Sequence, residues 1–109
     1  SHGEQQALEL CMVLALDPQI LLLDEPTRGI DIGGKSEIYQ LMDELAQQGK
    51  AILLISSDLP EILSMSDRIL VMREGKMTGM FEEKDATAEK ITSASTGIVD
   101  STQPSLGAR

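Results

Sequence analysis

Ile20-Leu21-Leu22-Leu23-Asp24-Glu25-Pro26-Thr27 decides the fold of this chain. Four aliphatic residues in succession predict a strand buried on both faces, as in a parallel sheet. Two carboxylates, Asp24 and Glu25, then stand where that strand emerges, and Pro26, lacking an N–H, stops the ladder. Adjacent acids at such an edge are costly unless something positive meets them. The usual answer at a strand's carboxyl end is a magnesium ion carrying a nucleotide phosphate, with the second acid aiming water at that phosphate. A strand ending in an acidic turn would account for Asp24-Glu25 alone, but less well for the whole octapeptide.

Working outward, Leu8, Met12, Ala15 and Leu16 recur at helical spacing and predict a helix from Glu4 to Leu16 with these residues on its buried face. Asp17-Pro18 ends it, because proline disfavours helical geometry in the residue before it. A polar, glycine-bearing loop is expected from Thr27 to Gly34, then a helix from Lys35 to Gln48 burying Ile38, Leu41, Met42 and Leu45, with Gly49 as its C-cap. Ala51 to Ile55 reads as a second buried strand, Ser56-Ser57-Asp58 as its exit turn and Leu59 to Met65 as a short helix. Arg68 to Met72 and Lys76 to Phe81 read as strands of a hairpin turning at Glu74-Gly75. A last helix is expected from Ala86 to Ala94, and from Ser95 the Ser, Thr, Pro and Gly content predicts a disordered tail over 95–109. This order implies an α/β fold with parallel sheet strands, flanking helices and a C-terminal β-hairpin. Ligands gather at the carboxyl ends of such strands, where Asp24-Glu25 and Ser56-Ser57 both fall.

The 109 residues carry 9 Lys and Arg against 18 Asp and Glu, a formal charge of −9. That balance argues against a nucleic-acid partner, which needs a cationic surface, and against adsorption to an anionic membrane. The apolar runs fall far short of the roughly 20 residues that span a bilayer, and no secretory signal is visible. Cys11, the only cysteine, allows no internal disulfide and reads as a small apolar helix residue. A phosphate-cradling G-x-x-x-x-G-K-[ST] loop is absent: Gly33-Gly34-Lys35-Ser36 lacks the upstream glycine and follows Asp31-Ile32 instead of an apolar strand. With no initiator methionine before Ser1-His2-Gly3-Glu4, the expectation is a piece of a larger protein.

Ser1-His2-Gly3-Glu4-Gln5-Gln6 opens the first helix, where free amides make an anion site, although Ser1 with Glu4 is also an ordinary capping box. Its position ahead of Asp24-Glu25 resembles the signature sequence of ATP-binding cassette (ABC) ATPases, entered at its serine with His2 in place of the first glycine. The octapeptide resembles the Walker B motif, Thr27-Arg28-Gly29-Ile30-Asp31 the D-loop, and Ile55-Ser56-Ser57-Asp58-Leu59-Pro60-Glu61 the switch loop. Met65-Ser66-Asp67-Arg68-Ile69 and Val71-Met72-Arg73-Glu74-Gly75 look like the closing segment of the same cassette. Arg-Gly-Ile-Asp and Ser-Ser-Asp-Leu-Pro-Glu at these positions resemble the second cassette of tandem subunits serving bacterial ribose-, galactose- and xylose-type sugar importers. Autoinducer importers share these features.

The resemblance implies a partial P-loop NTPase domain over residues 1–94, ATP and magnesium as cofactors, and an ATPase at the cytoplasmic face of the bacterial inner membrane. It implies as partners a second cassette, transmembrane permease subunits and, indirectly, a periplasmic sugar-binding protein. By the same resemblance, Asp24 would hold magnesium and Glu25 would orient the attacking water. Ser1 and Gly3, with Glu4 beside them, would contact ATP held on the opposing cassette, and Asp31 would couple the two sites. Ser57 stands where many ABC ATPases carry a histidine; it can donate a hydrogen bond but not a charge near neutral pH. A weakly hydrolysing site and a mainly structural one both follow from that departure. His2 sits in the signature, where it crowds more readily than it catalyses. Two other classes compete: a non-transport ABC protein of DNA repair or translation, disfavoured by the acidic charge, and a non-hydrolysing docking module. Lacking the P-loop, the isolated chain is expected to be inactive.

Overall fold

The computed structural model describes residues 2–97, which fall into two compact units divided between Ser57 and Asp58. The first unit runs α1 (His2–Leu14), β1 (Ile20–Asp24), α2 (Ile32–Gln47) and β2 (Ala51–Ile55). β1 and β2 pair in parallel, with Ile20 opposite Ala51 and Asp24 opposite Ile55. α2 is the crossover that parallel pairing requires. Its start is set by Asp31, whose carboxylate accepts from the Gly34 N–H at 2.8 Å. Its end is a Schellman closure: Gly49, at φ 89°, donates to Ala46 O, and Lys50 N–H donates to Leu45 O. Leu21, Met42 and Leu45 are the buried apolar residues of this unit. Lys50 Nζ clamps the turn before β1, donating to Asp17 Oδ1 at 2.6 Å and to Pro18 O at 2.8 Å.

The second unit comprises α3 (Leu59–Met65), β3 (Arg68–Arg73), β4 (Lys76–Glu82), a 3₁₀ turn (Glu83–Asp85) and α4 (Ala88–Thr96). β3 and β4 are antiparallel, with an irregularity between Val71 and Met72. Glu74 (φ 51°) and Gly75 (φ 79°) form the two-residue connection, and two positive φ values in succession match strand twist. Asp58 caps α3 by accepting from Glu61 N–H at 3.1 Å, and Thr87 caps α4 by accepting from Lys90 N–H at 3.2 Å. Ile69, Val71 and Ile91 form the core, packed by Leu59, Ile62, Leu63, Phe81, Ala86 and Ala94. Thr78 Oγ1 donates to Ala94 O at 2.8 Å and fastens α4 to the hairpin.

Four expectations need correction. The strands are not buried on both faces: Leu21 is buried, but Leu22 is 69% exposed, and Ile20, Leu53 and Ile55 on its face are exposed too. The reason is that no described element of this unit covers that face. On α1 the expected buried stripe is turned outward. Leu8 and Met12 are 62% and 64% exposed, whereas Gln6, Leu10 and Leu14 are half-buried. α1 is apolar on more than one side, so hydrophobic spacing does not select a single stripe. α2 begins at Ile32, inside the expected loop, because Asp31 nucleates it. α4 continues through Ser95 to Thr96 and closes at left-handed Gly97; the rest of the expected tail lies outside the described residues.

Candidate functional site at the strand ends and the α1 groove

Parallel strands put their carboxyl ends on one edge. Asp24 ends β1 opposite Ile55, the last residue of β2, so Glu25 and Ser56-Ser57 leave from neighbouring positions. Glu25 N–H donates to Ile55 O at 2.7 Å, carrying the ladder one residue past Asp24. Glu25 then takes φ 48°, a left-handed conformation that costs a side-chain-bearing residue about 1–2 kcal/mol. A closed turn holds it there. Arg28 N–H donates to Glu25 O at 3.2 Å, Ile30 N–H to Thr27 O at 3.1 Å, and Thr27 is buried beneath. Gln6 Nε2 of α1 reaches Pro26 O at 3.5 Å. Arg28 Nη2 lies 4.0 Å from Glu25 Oε1, with the two side chains 72% and 24% exposed. Asp24 and Ser57 are exposed.

A second feature of this unit is an open groove of about 430 Å³. Gly3, Glu4 and Ala7 of α1 form one wall; Gly29, Ile30, Asp31 and the first turns of α2 form the other. A side chain at Gly34 would place its Cβ 2.4 Å from Ile30 Cγ2, so glycine lets this loop fold against the helix start. Among the described residues, an added Cβ at Gly3 meets nothing within 4 Å. Thus Gly3, Glu4 and Asp31 share the groove, whereas Asp24, Glu25 and Ser57 occupy the strand ends and do not line it. Asp31 also has a local task, capping α2. Ser1 lies outside the described residues.

Among the described residues no group of three or more His, Cys, Asp or Glu side chains is arranged to hold a metal. Magnesium does not require one, since one or two carboxylates, phosphate oxygens and water complete its shell. Asp24, an exposed hard-oxygen donor at a strand end, fits that donor set. The amide cradle and lysine that hold phosphates are absent from the sequence. Two contacts escape sequence reasoning: Gln6 on Pro26 O, and Arg28 on Glu25. The i,i+3 spacing of Glu25 and Arg28 was visible, but it brings charges together only if the chain turns between them.

The family model for ABC transporters matches residues 1–28. A ribose import ATP-binding protein of Rubrobacter xylanophilus is 60% identical over 98 residues, which are 90% of this chain and 19% of the relative. A xylose import ATP-binding protein of Geobacillus kaustophilus is 58% identical over 97 residues, 89% of this chain and 19% of its own length. A solved ATP-binding cassette of an ABC transporter superposes with a TM-score of 0.74 at 24% identity, covering 86% of this chain and 39% of that one. The fold is that of an ABC ATPase domain, and about nine tenths of the chain is similar to import ATP-binding proteins. Within them it is similar to ribose and xylose import proteins, spanning about one fifth of the length of these curated relatives.

Proposed function

We propose that residues 1–94 are the part of a nucleotide-binding domain running from the signature to the end of the cassette, in a subunit that powers sugar import. The single observation that carries this is the shared strand edge, with Asp24-Glu25 and Ser56-Ser57 leaving from paired positions in a chain 60% identical to a ribose import ATP-binding protein. The second-cassette assignment rests on the Arg-Gly-Ile-Asp and Ser-Ser-Asp-Leu-Pro-Glu motifs.

In this function Asp24 would contribute one magnesium ligand, directly or through water. Glu25 would orient and polarise the attacking water, and Ser57 would donate a hydrogen bond to the γ-phosphate. Magnesium, when bound, neutralises charge developing on the transferred phosphoryl group. Gly3 and Glu4, with Ser1, would face ATP held on the opposing cassette, and Asp31 in the same groove would couple the sites. That arrangement suits the separation of the groove from the strand ends. The partners would be that second cassette, transmembrane permease subunits and a periplasmic sugar-binding protein, placing the subunit at the cytoplasmic face of the inner membrane. Among the described residues no helix is long and apolar enough to cross a membrane.

The test uses the complete subunit assembled with its permease. Glu25→Gln keeps size and an acceptor oxygen but removes the charge, so turnover should fall by roughly 100-fold or more while ATP binding is preserved. Asp24→Asn should weaken magnesium-dependent binding instead. If Glu25→Gln hydrolyses at the unmodified rate, this cassette half is structural. A second reading, a docking module that never hydrolyses ATP, is favoured for the isolated chain by the uncovered apolar face of β1 and β2.

A further inference from the structure

We propose that Arg28 is a positioning residue for Glu25, its guanidinium steering the carboxylate that the proposed hydrolysis depends on. The inference rests on the role given to Glu25 above. Glu25 has both its main-chain groups engaged: its N–H by Ile55 O at 2.7 Å and its carbonyl by Arg28 N–H at 3.2 Å. With φ held at 48°, the freedom left to the residue lies mostly in its side-chain torsions. Arg28 comes back across the same turn and sets Nη2 4.0 Å from Glu25 Oε1. The Glu25 side chain is largely enclosed at 24% exposure, while that of Arg28 is 72% exposed. An ion pair this open adds little to stability, so its physical effect is orientational. At 4.0 Å the guanidinium lies beyond hydrogen-bonding distance and acts on the carboxylate as a nearby positive charge that biases the direction in which it points. One residue thus meets Glu25 twice, through its backbone N–H and through its side chain.

Because the turn hydrogen bond comes from the backbone, Arg28→Ala should keep the turn and remove only the steering. In the complete subunit with its permease, ATP hydrolysis would be measured in steady state and in single turnover. Arg28→Ala should lower kcat by about five- to ten-fold with KM for ATP held within about two-fold, and Arg28→Lys should recover part of the loss. In a Glu25→Gln background, Arg28→Ala should cost nothing further, because no carboxylate remains to be steered. Three results would overturn the proposal: an unchanged kcat, a loss confined to KM, or the same fractional loss with and without Glu25. Wild-type hydrolysis by Glu25→Gln alone would instead remove the underlying role of Glu25, a separate failure read from a separate variant.

Discussion

Replacing Gly79 with alanine tests how closely α4 rests on the hairpin. Gly79 is buried on β4 opposite Val71, and a Cβ there would stand 2.8 Å from Phe81 Cε2 and 3.0 Å from Ala94 Cβ. Carbon atoms at optimal separation are about 3.5–4.0 Å apart, so the methyl overlaps neighbours on two sides by roughly 0.5–1 Å. Neither can retreat freely. Phe81 packs against the core, and Ala94 moves only with α4, whose carbonyl at that residue accepts from Thr78 Oγ1 at 2.8 Å. Overpacking of this kind costs about 1–3 kcal/mol, and the backbone entropy regained by replacing a strand glycine offsets about 0.5–1 kcal/mol. The net expectation is a loss centred near 1 kcal/mol and reaching at most about 2.5 kcal/mol. For a domain of this size each kcal/mol lowers Tm by about 4–8 °C. Thermal unfolding followed by circular dichroism at several protein concentrations would measure the loss, and adding Ala94→Gly should restore part of it. A Gly79→Ala chain as stable as the original would refute this account of the α4 contact.

Three further outcomes are expected. The isolated chain should release no phosphate from ATP above background, because the cradle for the β- and γ-phosphates is missing; magnesium-dependent turnover lost on Glu25→Gln would contradict this. The chain should self-associate through Ile20, Leu22, Leu53 and Ile55, and Leu22→Lys should weaken the association; a monomer by sedimentation at high concentration would count against it. The Lys50 hydrogen bond, and secondarily its charge, hold Asp17 below its ordinary value of 3.8, so the ionised acid is favoured on folding. The stabilisation is therefore full above that ordinary value and fades as pH falls through the lower folded one, and Asp17→Asn should flatten this part of the stability–pH curve.

Much of this fold is legible in the sequence because its local signals agree. The run Ala51–Ile55, the exit turn Ser56-Ser57-Asp58 ahead of Leu59–Met65, and Glu74-Gly75 between two apolar runs each specify one structure. Side-chain burial is less legible. Ile20–Leu23 is apolar on both strand faces, yet whether each face is covered depends on chain elsewhere, not on the strand. The same holds for α1, where Leu8 and Leu10 are equally apolar and only tertiary contacts separate them. At the candidate site the strand-end acids could be found by pattern. The left-handed backbone of Glu25 could not, since glutamate has no preference for that conformation and the turn imposes it.

The two sheets also differ in what the chain must do to order them. The hairpin closes across two residues, whereas β1 meets β2 only after the segment from Glu25 to Lys50 has been drawn into a loop and wound into α2. Loop-closure entropy must be met before the parallel pairing returns anything, and pairings distant in sequence form slowly. The alignment of Asp24 with Ile55 is therefore expected late in assembly, with the acidic strand end taking shape after the hairpin has set its register.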